Sequence, residues 1–169
     1  SLIEQQGFDA ADQMTRYVRW WQEGHLSSTG SCFDIGNTVQ QALHTFRDSG
    51  NPIAGSTDDN TAGNGSLMRL APLPLAFRQN DEQRWQYAVN SSATTHGARA
   101  CLDACGLYSE LIVRALRGAS RATILDTASI PTALFSDGSN SDILAIAKGS
   151  YSQKMPPEIK GTGYVVDAL

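Results

Sequence analysis

The chain has 169 residues, of which 41% are apolar and 18% are charged, a composition typical of a globular protein with one domain. Its 13 basic and 17 acidic residues give a net charge of -4 and form no basic tract, which argues against nucleic acid as a partner. No apolar run approaches membrane-spanning length, and no signal peptide is visible at the N-terminus. We therefore predict one domain over residues 1–169 that binds neither nucleic acid nor a membrane.

Cysteine usage indicates a reducing compartment. The three cysteines, Cys32, Cys101 and Cys105, are an odd number without the spacing of a disulfide framework, so we predict a cytoplasmic protein. Cys101 and Cys105 lie one helical turn apart and could share a metal, but no second Cys or His pair completes such a site. We favour the alternative that both are small apolar core residues.

The first predicted elements are helices. A helix tail is predicted over residues 1–6, and Asp9 then caps a helix that runs to about Glu23. The apolar residues of this helix recur at helical spacing and predict a core-facing stripe, formed by Met14, Tyr17, Val18 and Trp21. Because Trp20 and Trp21 are adjacent, we expect one of the two indoles to face an edge or a cleft.

Two acidic segments follow. Asp34 lies in residues 32–37 (Cys-Phe-Asp-Ile-Gly-Asn) and has two interpretations. It is either the N-cap of a helix over residues 38–47, worth about 1 kcal/mol, or a functional carboxylate beside the glycine-rich turn described next. Thr57-Asp58-Asp59 lies in a polar loop over residues 49–60. Its paired carboxylates could bind a hard cation, but in such a loop we favour a solvated turn.

A glycine-rich turn, Gly63-Asn64-Gly65-Ser66, precedes an apolar run over residues 67–77 that predicts a short buried helix. If a helix starts near Ser66, its free N–H groups and its dipole would favour an anion, and the turn would be a phosphate cradle. The alternative is an ordinary loop with a serine cap. The turn is neither a P-loop nor a dinucleotide fingerprint, because it lacks both of those patterns.

The remaining apolar patterns predict helices over residues 82–95, 98–117, 123–128 and 141–148. Asp81 is the predicted cap of the first of these helices, and His96 follows its end. His96 is either a dipole partner at the helix terminus or a residue that points into a cleft. No segment shows sustained period-two alternation, so we predict an all-α fold.

Four short motifs occur in order along the chain, with predicted helices between them. They are Phe33-Asp34-Ile35-Gly36, residues 63–69 (Gly-Asn-Gly-Ser-Leu-Met-Arg), Thr95-His96, and residues 161–169 (Gly-Thr-Gly-Tyr-Val-Val-Asp-Ala-Leu). Together they resemble the ADP-ribosylglycohydrolase family, and the most similar subgroup is the bacterial dinitrogenase reductase-activating glycohydrolases. The resemblance extends over nearly the whole chain.

The resemblance implies a multi-helical orthogonal bundle around a binuclear magnesium (Mg²⁺) or manganese site. It implies a hydrolase that removes ADP-ribose from a protein side chain or a small conjugate, with arginine as the first expectation. Asp34 would be the catalytic carboxylate near the scissile ribose, where positive charge develops. The implied substrate-binding residues are Asn37 at the ribose edge, Gly63, Asn64, Gly65 and Ser66 at the diphosphate or distal ribose, and His96 and Tyr164 in the cleft.

The expected metal ligands are missing from their places. The family takes them from a Thr-Asp-Asp-Thr motif near the N-terminus and an Asp-x-Asp-Thr motif near the C-terminus. Thr57-Asp58-Asp59 imitates the first motif but follows Asp34, so we assign no metal ligand to it. The chain begins at Ser1 without Met and ends at Leu169 inside an apolar pattern. We therefore expect part of a domain, without a magnesium site or hydrolase activity of its own, from a protein that is monomeric at full length.

Two alternatives to a hydrolase remain open. The chain could be a metal-free module that holds ADP-ribose or a nucleotide without cleaving it. It could also be a helical domain whose motifs are only caps and turns.

Overall fold

The computed structural model describes residues 1–126, 130 and 138–169. Its helices in this part of the chain are α1 (Ala10–Glu23), α2 (Asn37–Ser49), α3 (Gly65–Met68), α4 (Pro72–Ala76), α5 (Asp81–Ala93), α6 (Arg99–Leu116), α7 (Arg121–Ile124), α8 (Ser141–Ala147) and α9 (Val165–Ala168), with 3₁₀ helices at Asp59–Thr61 and Ser150–Gln153. Among these residues, β pairing is limited to two isolated bridges. The predicted all-α fold is confirmed.

Helix α6 forms the centre of the larger hydrophobic core. Its buried face carries Cys101, Ala104, Cys105 and Leu107, against which α3, α4, α8 and α9 pack. Both cysteines are free thiols at 0% exposure, so their predicted role as small core residues is confirmed. None of the helices in the described ranges is both long and apolar enough to cross a bilayer.

Helices α5 and α6 lie in unusually close contact along one side. A Cβ atom added to Gly106 of α6 would lie 2.5 Å from Cη2 of Trp85 on α5. Arg84 of α5 is 2% exposed and donates to Asp81 at 2.5 Å and to Glu110 of α6. The glycine permits the approach, and the buried ion pair fixes its register because an unpaired charge there would be costly.

Helices α1 and α2 build a smaller core of their own. Asp9 caps α1 as predicted, since its carboxylate accepts the N–H of Asp12 at 2.9 Å. Met14 of α1 and Leu43 of α2 are fully buried, and the remaining members of the predicted stripe pack around them as partly buried side chains, namely Tyr17, Val18 and Trp21. The predicted core face of α1 is confirmed.

Several predicted boundaries are wrong for local reasons. Residues 1–6 form hydrogen-bonded turns rather than a helix tail. The single helix predicted over residues 67–77 is two short helices, α3 and α4, because Pro72 begins a new helix after an interruption at Leu70 and Ala71. Asn80, not Asp81, caps α5, with its side-chain oxygen accepting the N–H of Gln83 at 2.9 Å.

The two helices predicted after α6 differ in how well they match the structure. Helix α8 matches the predicted helix over residues 141–148. Helix α7 starts two residues before the predicted helix over 123–128 and ends at Ile124, whereas residues 127–128 lie outside the described part.

We expect Gly106→Ala to lower the free energy of unfolding by about 1 to 3 kcal/mol, because the added methyl group overpacks the contact with Trp85. This loss exceeds the gain of up to about 1 kcal/mol in helix propensity. Urea denaturation measures the effect. Gly161→Ala is the matched control, since its Cβ meets nothing within 4 Å. A Gly106→Ala variant as stable as wild type would contradict the described packing.

Candidate functional site

A cavity of about 540 Å³ opens where α1, the start of α2 and the turn before α3 meet the segment that follows α5. Most of the site residues expected from the sequence line it, namely Asp34, Asn37, Gly63, Asn64, Gly65 and His96. They come from segments far apart in the chain. The fold therefore brings the separate motifs to one place.

Ser66 and Tyr164 lie elsewhere. Ser66 is 2% exposed, and its hydroxyl accepts hydrogen bonds from Ser92 at 2.8 Å and from the Cys105 thiol at 3.5 Å. Its side chain therefore belongs to the packing beneath the turn rather than to the cavity. Tyr164 lines an adjoining space of about 260 Å³, which shares Gly63 and Gly163 with the main cavity.

The glycine-rich turn is held by backbone contacts. The N–H of Gly63 donates to the carbonyl of Thr61 at 2.7 Å, and the N–H of Asn64 donates to the carbonyl of Gly163 at 2.9 Å. Two N–H groups of the predicted phosphate cradle are thus used inside the protein. The cradle stays a prediction, and any anion there would have to bind the N–H groups that follow Asn64.

His96 explains why small residues form the turn. Its ring is 2% exposed, and Nδ1 lies 2.8 Å from the hydroxyl of Thr95. A Cβ at Gly65 would lie 2.9 Å from Cε1 and 3.0 Å from Nε2 of this ring, closer than real side chains approach. Any larger residue at position 65 would displace the ring. Of the two interpretations of His96, the structure favours the residue that faces a cleft.

The imidazole of His96 is neutral near pH 7. Burial, and secondarily the positive charge of Arg69, lower the pKa of His96 from 6.5 to about 4. Burial also raises the pKa of the Tyr17 phenol, which lines the same cavity. The cavity is therefore lined by two titratable groups that carry no charge at neutral pH.

Asp34 does not cap α2, so that interpretation is wrong. Helix α2 begins at Asn37, and its N-cap position is Gly36, which makes no side-chain cap bond. Asp34 is exposed and has a φ of 52°, in the left-handed region. Such a conformation costs on the order of 1 kcal/mol or more, although Asp and Asn tolerate it best. The carboxylate of Asp34 lines the cavity, and it has no partner within residues 1–126, 130 and 138–169.

An apolar wall completes the cavity. Trp20, Ile35, Val39 and Met68 line it, and Met68 is 76% exposed. Trp21 instead packs against the ring of His44 at a centroid distance of 4.7 Å. The expectation that one of the adjacent tryptophans faces a cleft is confirmed for Trp20.

Arg69 is a lining residue that the sequence analysis missed. Its Nη2 donates to the carbonyl of Ser91 at 2.7 Å and to the hydroxyl of Thr94 at 3.3 Å, both near the end of α5. Its guanidinium lies 5.2 Å from the ring centroid of Tyr17. One feature of the sequence could have identified Arg69 as a site residue: it lies in the same short motif as the glycine-rich turn, three residues after Ser66.

The acidic loop forms a turn. Asp58 accepts the N–H of Asn60 at 2.9 Å and caps the 3₁₀ helix Asp59–Thr61, and both aspartates are exposed, so the predicted solvated turn is confirmed. Across residues 1–126, 130 and 138–169, no three His, Cys, Asp or Glu side chains are grouped so that they could hold a metal ion. The residues described here do not provide a cage for a magnesium pair.

These features define an all-α protein with a cleft that carries a carboxylate, a glycine-rich turn and a guanidinium. A sequence model of the ADP-ribosylglycohydrolase family matches residues 1–169, and the chain belongs to this family.

Similar proteins agree with this assignment. The chain is 35% identical over 169 residues to ADP-ribosylarginine hydrolase Tri1 of Pseudomonas putida (strain GB-1). This alignment covers 100% of this chain and 44% of the relative. It is 31% identical over 154 residues to ADP-ribosylarginine hydrolase Tri1 of Serratia proteamaculans (strain 568), covering 91% of this chain and 40% of the relative. One chain of a solved ADP-ribosylglycohydrolase-related protein complex superposes on this chain with a TM-score of 0.75 and 34% sequence identity. The match covers 96% of this chain and 50% of the solved one. This chain thus spans half or less of the length of each.

We expect the burial of neutral His96 to make stability depend on pH. The folded pKa of about 4 lies below the unfolded value of 6.5, so the unfolded chain binds more protons between these values. Stability should therefore fall as pH drops from about 6.5 to 4, by up to about 3 kcal/mol. Urea denaturation at several pH values checks this.

The control for this measurement is His96→Gln, which cannot titrate. The loss of stability between pH 6.5 and 4 should be smaller in the variant. Parallel pH profiles for the two proteins would show that His96 is not a buried neutral imidazole.

Proposed function

We propose that this chain forms the ADP-ribose-binding part of a hydrolase that removes ADP-ribose from arginine side chains. The observation that carries the proposal is the shared cavity, which Asp34 and the glycine-rich turn both line in a member of this family. The two relatives at 35% and 31% identity are named ADP-ribosylarginine hydrolases, which supports arginine as the acceptor. The substrate is then an ADP-ribosylated protein or a small ADP-ribosyl-guanidine.

The reaction breaks the bond between C1 of the scissile ribose and a guanidine nitrogen. Water adds its oxygen to C1, one proton of that water goes to the leaving nitrogen, and free ADP-ribose and arginine result. As the bond breaks, C1 gains positive charge, which an adjacent carboxylate stabilises. Asp34 is exposed at the cavity and has no partner among the described residues, so it is placed to stabilise that charge and to pass one proton of the attacking water on to the leaving nitrogen.

A magnesium pair is implied by the family resemblance, and such a pair would polarise water and orient ribose hydroxyls. The described residues offer no group of ligands for it, so no step is assigned to a metal here. We propose that such ligands, if the protein uses them, come from residues outside this chain. The free thiols further support our expectation of a cytoplasmic protein, and we keep the expectation of a monomer.

One observation favours a second candidate, a module that binds ADP-ribose without cleaving it. The cavity is formed within the described residues, whereas a metal-binding group is not. The two candidates make the same prediction for ADP-ribose binding and opposite predictions for turnover.

We expect Asp34→Asn to reduce turnover of ADP-ribosyl-arginine by about 10²- to 10⁴-fold in the complete gene product, with ADP-ribose affinity changed little. Asparagine keeps the shape and tolerates the left-handed backbone, so the fold should survive. Turnover and calorimetric affinity are measured together. Asp48→Asn, at an exposed carboxylate on α2, is the matched control. Equal losses of turnover and affinity would assign Asp34 a binding role only.

We expect the 169-residue chain by itself to show neither tight magnesium binding nor turnover of ADP-ribosyl-arginine, because its described carboxylates form no ligand group. Calorimetric titration with MgCl₂ and a turnover assay on the isolated chain measure both properties. ADP-ribose binding by the same sample shows that the cavity is intact. Magnesium-dependent turnover by this chain would overturn the expectation.

A further inference from the structure

Arg69 carries a positive charge that the described protein does not neutralise. Its hydrogen bonds go to a carbonyl and a hydroxyl, its ring neighbour is Tyr17, and its buried Nε has no hydrogen-bond partner. No carboxylate among the described residues pairs with it. A guanidinium that is partly withdrawn from water without a counter-charge costs folding free energy.

The other partly buried arginines contrast with Arg69. Arg16, which lies beside Tyr17 on α1, pairs with Asp12 at 2.7 Å and with Glu4. Arg84 and Arg114, in the contact between α5 and α6, both pair with Glu110. The fold therefore supplies carboxylates to withdrawn arginines in general, and the missing partner of Arg69 is specific to the cavity wall.

The cavity holds separated charges of opposite sign. Asp34 and Arg69 both line it, without an ion pair between them, and among the described lining residues they are the acidic and the basic side chain. An ADP-ribosyl-guanidine has the complementary arrangement. Its negative diphosphate is attached to one end of the scissile ribose, and its cationic guanidinium is attached to the other end. The carboxylate suits the cationic end, and the guanidinium suits the anionic one.

We propose that Arg69 binds the diphosphate of the ADP-ribosyl ligand and that this diphosphate is its missing counter-charge. The inference rests on the proposed function for the identity of the ligand, and it names the side chain that supplies positive charge to the cleft. Because two N–H groups of the glycine-rich turn are already bonded within the protein, the turn alone offers fewer donors than the sequence suggested. The guanidinium provides the charge that backbone groups lack.

Arg69 also has a structural role, which the experiment must separate from binding. Its bonds to Ser91 and Thr94 tie the end of α3 to the end of α5, and Gln13 of α1 joins them through Thr94 at 3.0 Å. Loss of the side chain will therefore lower stability whatever the ligand. A readout is needed that follows the phosphate charge rather than the integrity of the fold.

The experiment uses the complete gene product with three ligands: ADP-ribose, ADP and adenosine, which lacks phosphate. The variants are Arg69→Gln, which removes the charge, Arg69→Lys, which keeps it, and Arg78→Gln as a control at an exposed arginine outside the cavity. Calorimetry gives affinities at two salt concentrations, and ligand-observed NMR follows adenosine. Circular dichroism confirms that each variant is folded at the working temperature.

We expect Arg69→Gln to weaken ADP-ribose and ADP by at least about tenfold, with adenosine changed less than about twofold. Arg69→Lys should recover most of the loss, and the dependence of affinity on salt should be shallower in Arg69→Gln than in wild type. Arg78→Gln should match wild type. If Arg69→Gln does not fold, the Nε–Hε signal of Arg69 in ¹⁵N-labelled wild type, assigned by its absence in Arg69→Lys, should shift on addition of ADP.

Other outcomes separate this inference from the proposed function. Turnover of ADP-ribosyl-arginine with an unchanged KM in Arg69→Gln would overturn the inference and keep the function. Binding of ADP that depends on Arg69, in a protein that does not hydrolyse ADP-ribosyl-arginine, would keep the inference and overturn the function. Equal weakening of adenosine and ADP-ribose, an unshifted Nε–Hε signal, or no binding of either diphosphate would overturn the inference.

Discussion

The arrangement of the cleft depends on one packing contact, the burial of the His96 ring against the glycine-rich turn. The ring occupies the space that a side chain at Gly65 would need, so the turn can approach the end of α5 only with glycine there. A charged imidazole could not be buried without a partner, and the depressed pKa keeps the ring neutral. The backbone N–H of His96 donates to the carbonyl of Ser92 at 2.7 Å, which ties the backbone at His96 to the last turn of α5. The opposite wall of the cavity is then set by α1 and α2.

Two kinds of charge placement serve different ends in this protein. Arg84 is almost fully buried, but Asp81 and Glu110 surround it, and the resulting ion pairs join α5 to α6. Asp34 and Arg69 instead line one cavity and have no ion-pair partner in the part of the chain that the structure describes, and Asp34 also has a strained backbone. Unpaired charge and strain reduce stability, and they are found where a ligand can compensate for them. The stabilising pairs lie at the helix contact, away from the cavity.

The sequence predicted the elements whose signals are local. The apolar stripe from Met14 to Trp21 and the long pattern of α6 gave the correct helices because each buries one continuous face. The sequence failed where tertiary contacts decide. Arg69 acquires its surroundings from Tyr17 and Ser91, which are distant in sequence, and no periodicity reports such a meeting. The capping interpretation of Asp34 failed because a carboxylate before a helix satisfies a local rule, whereas in the structure the N-cap position of α2 is Gly36, two residues after Asp34.

The bond from the N–H of Asn64 to the carbonyl of Gly163, with the bridge between Gly63 and Tyr164, has a consequence for biosynthesis. The glycine-rich turn leaves the ribosome well before its partners are translated. At typical elongation rates, the remaining hundred or so residues take about 5 to 20 s. During that interval the turn lacks its hydrogen bond to Gly163. Closing the loop between residues 64 and 163 costs chain entropy, whereas a helix forms through local contacts without such a cost. The cleft therefore matures after α1 and α5 can already have formed.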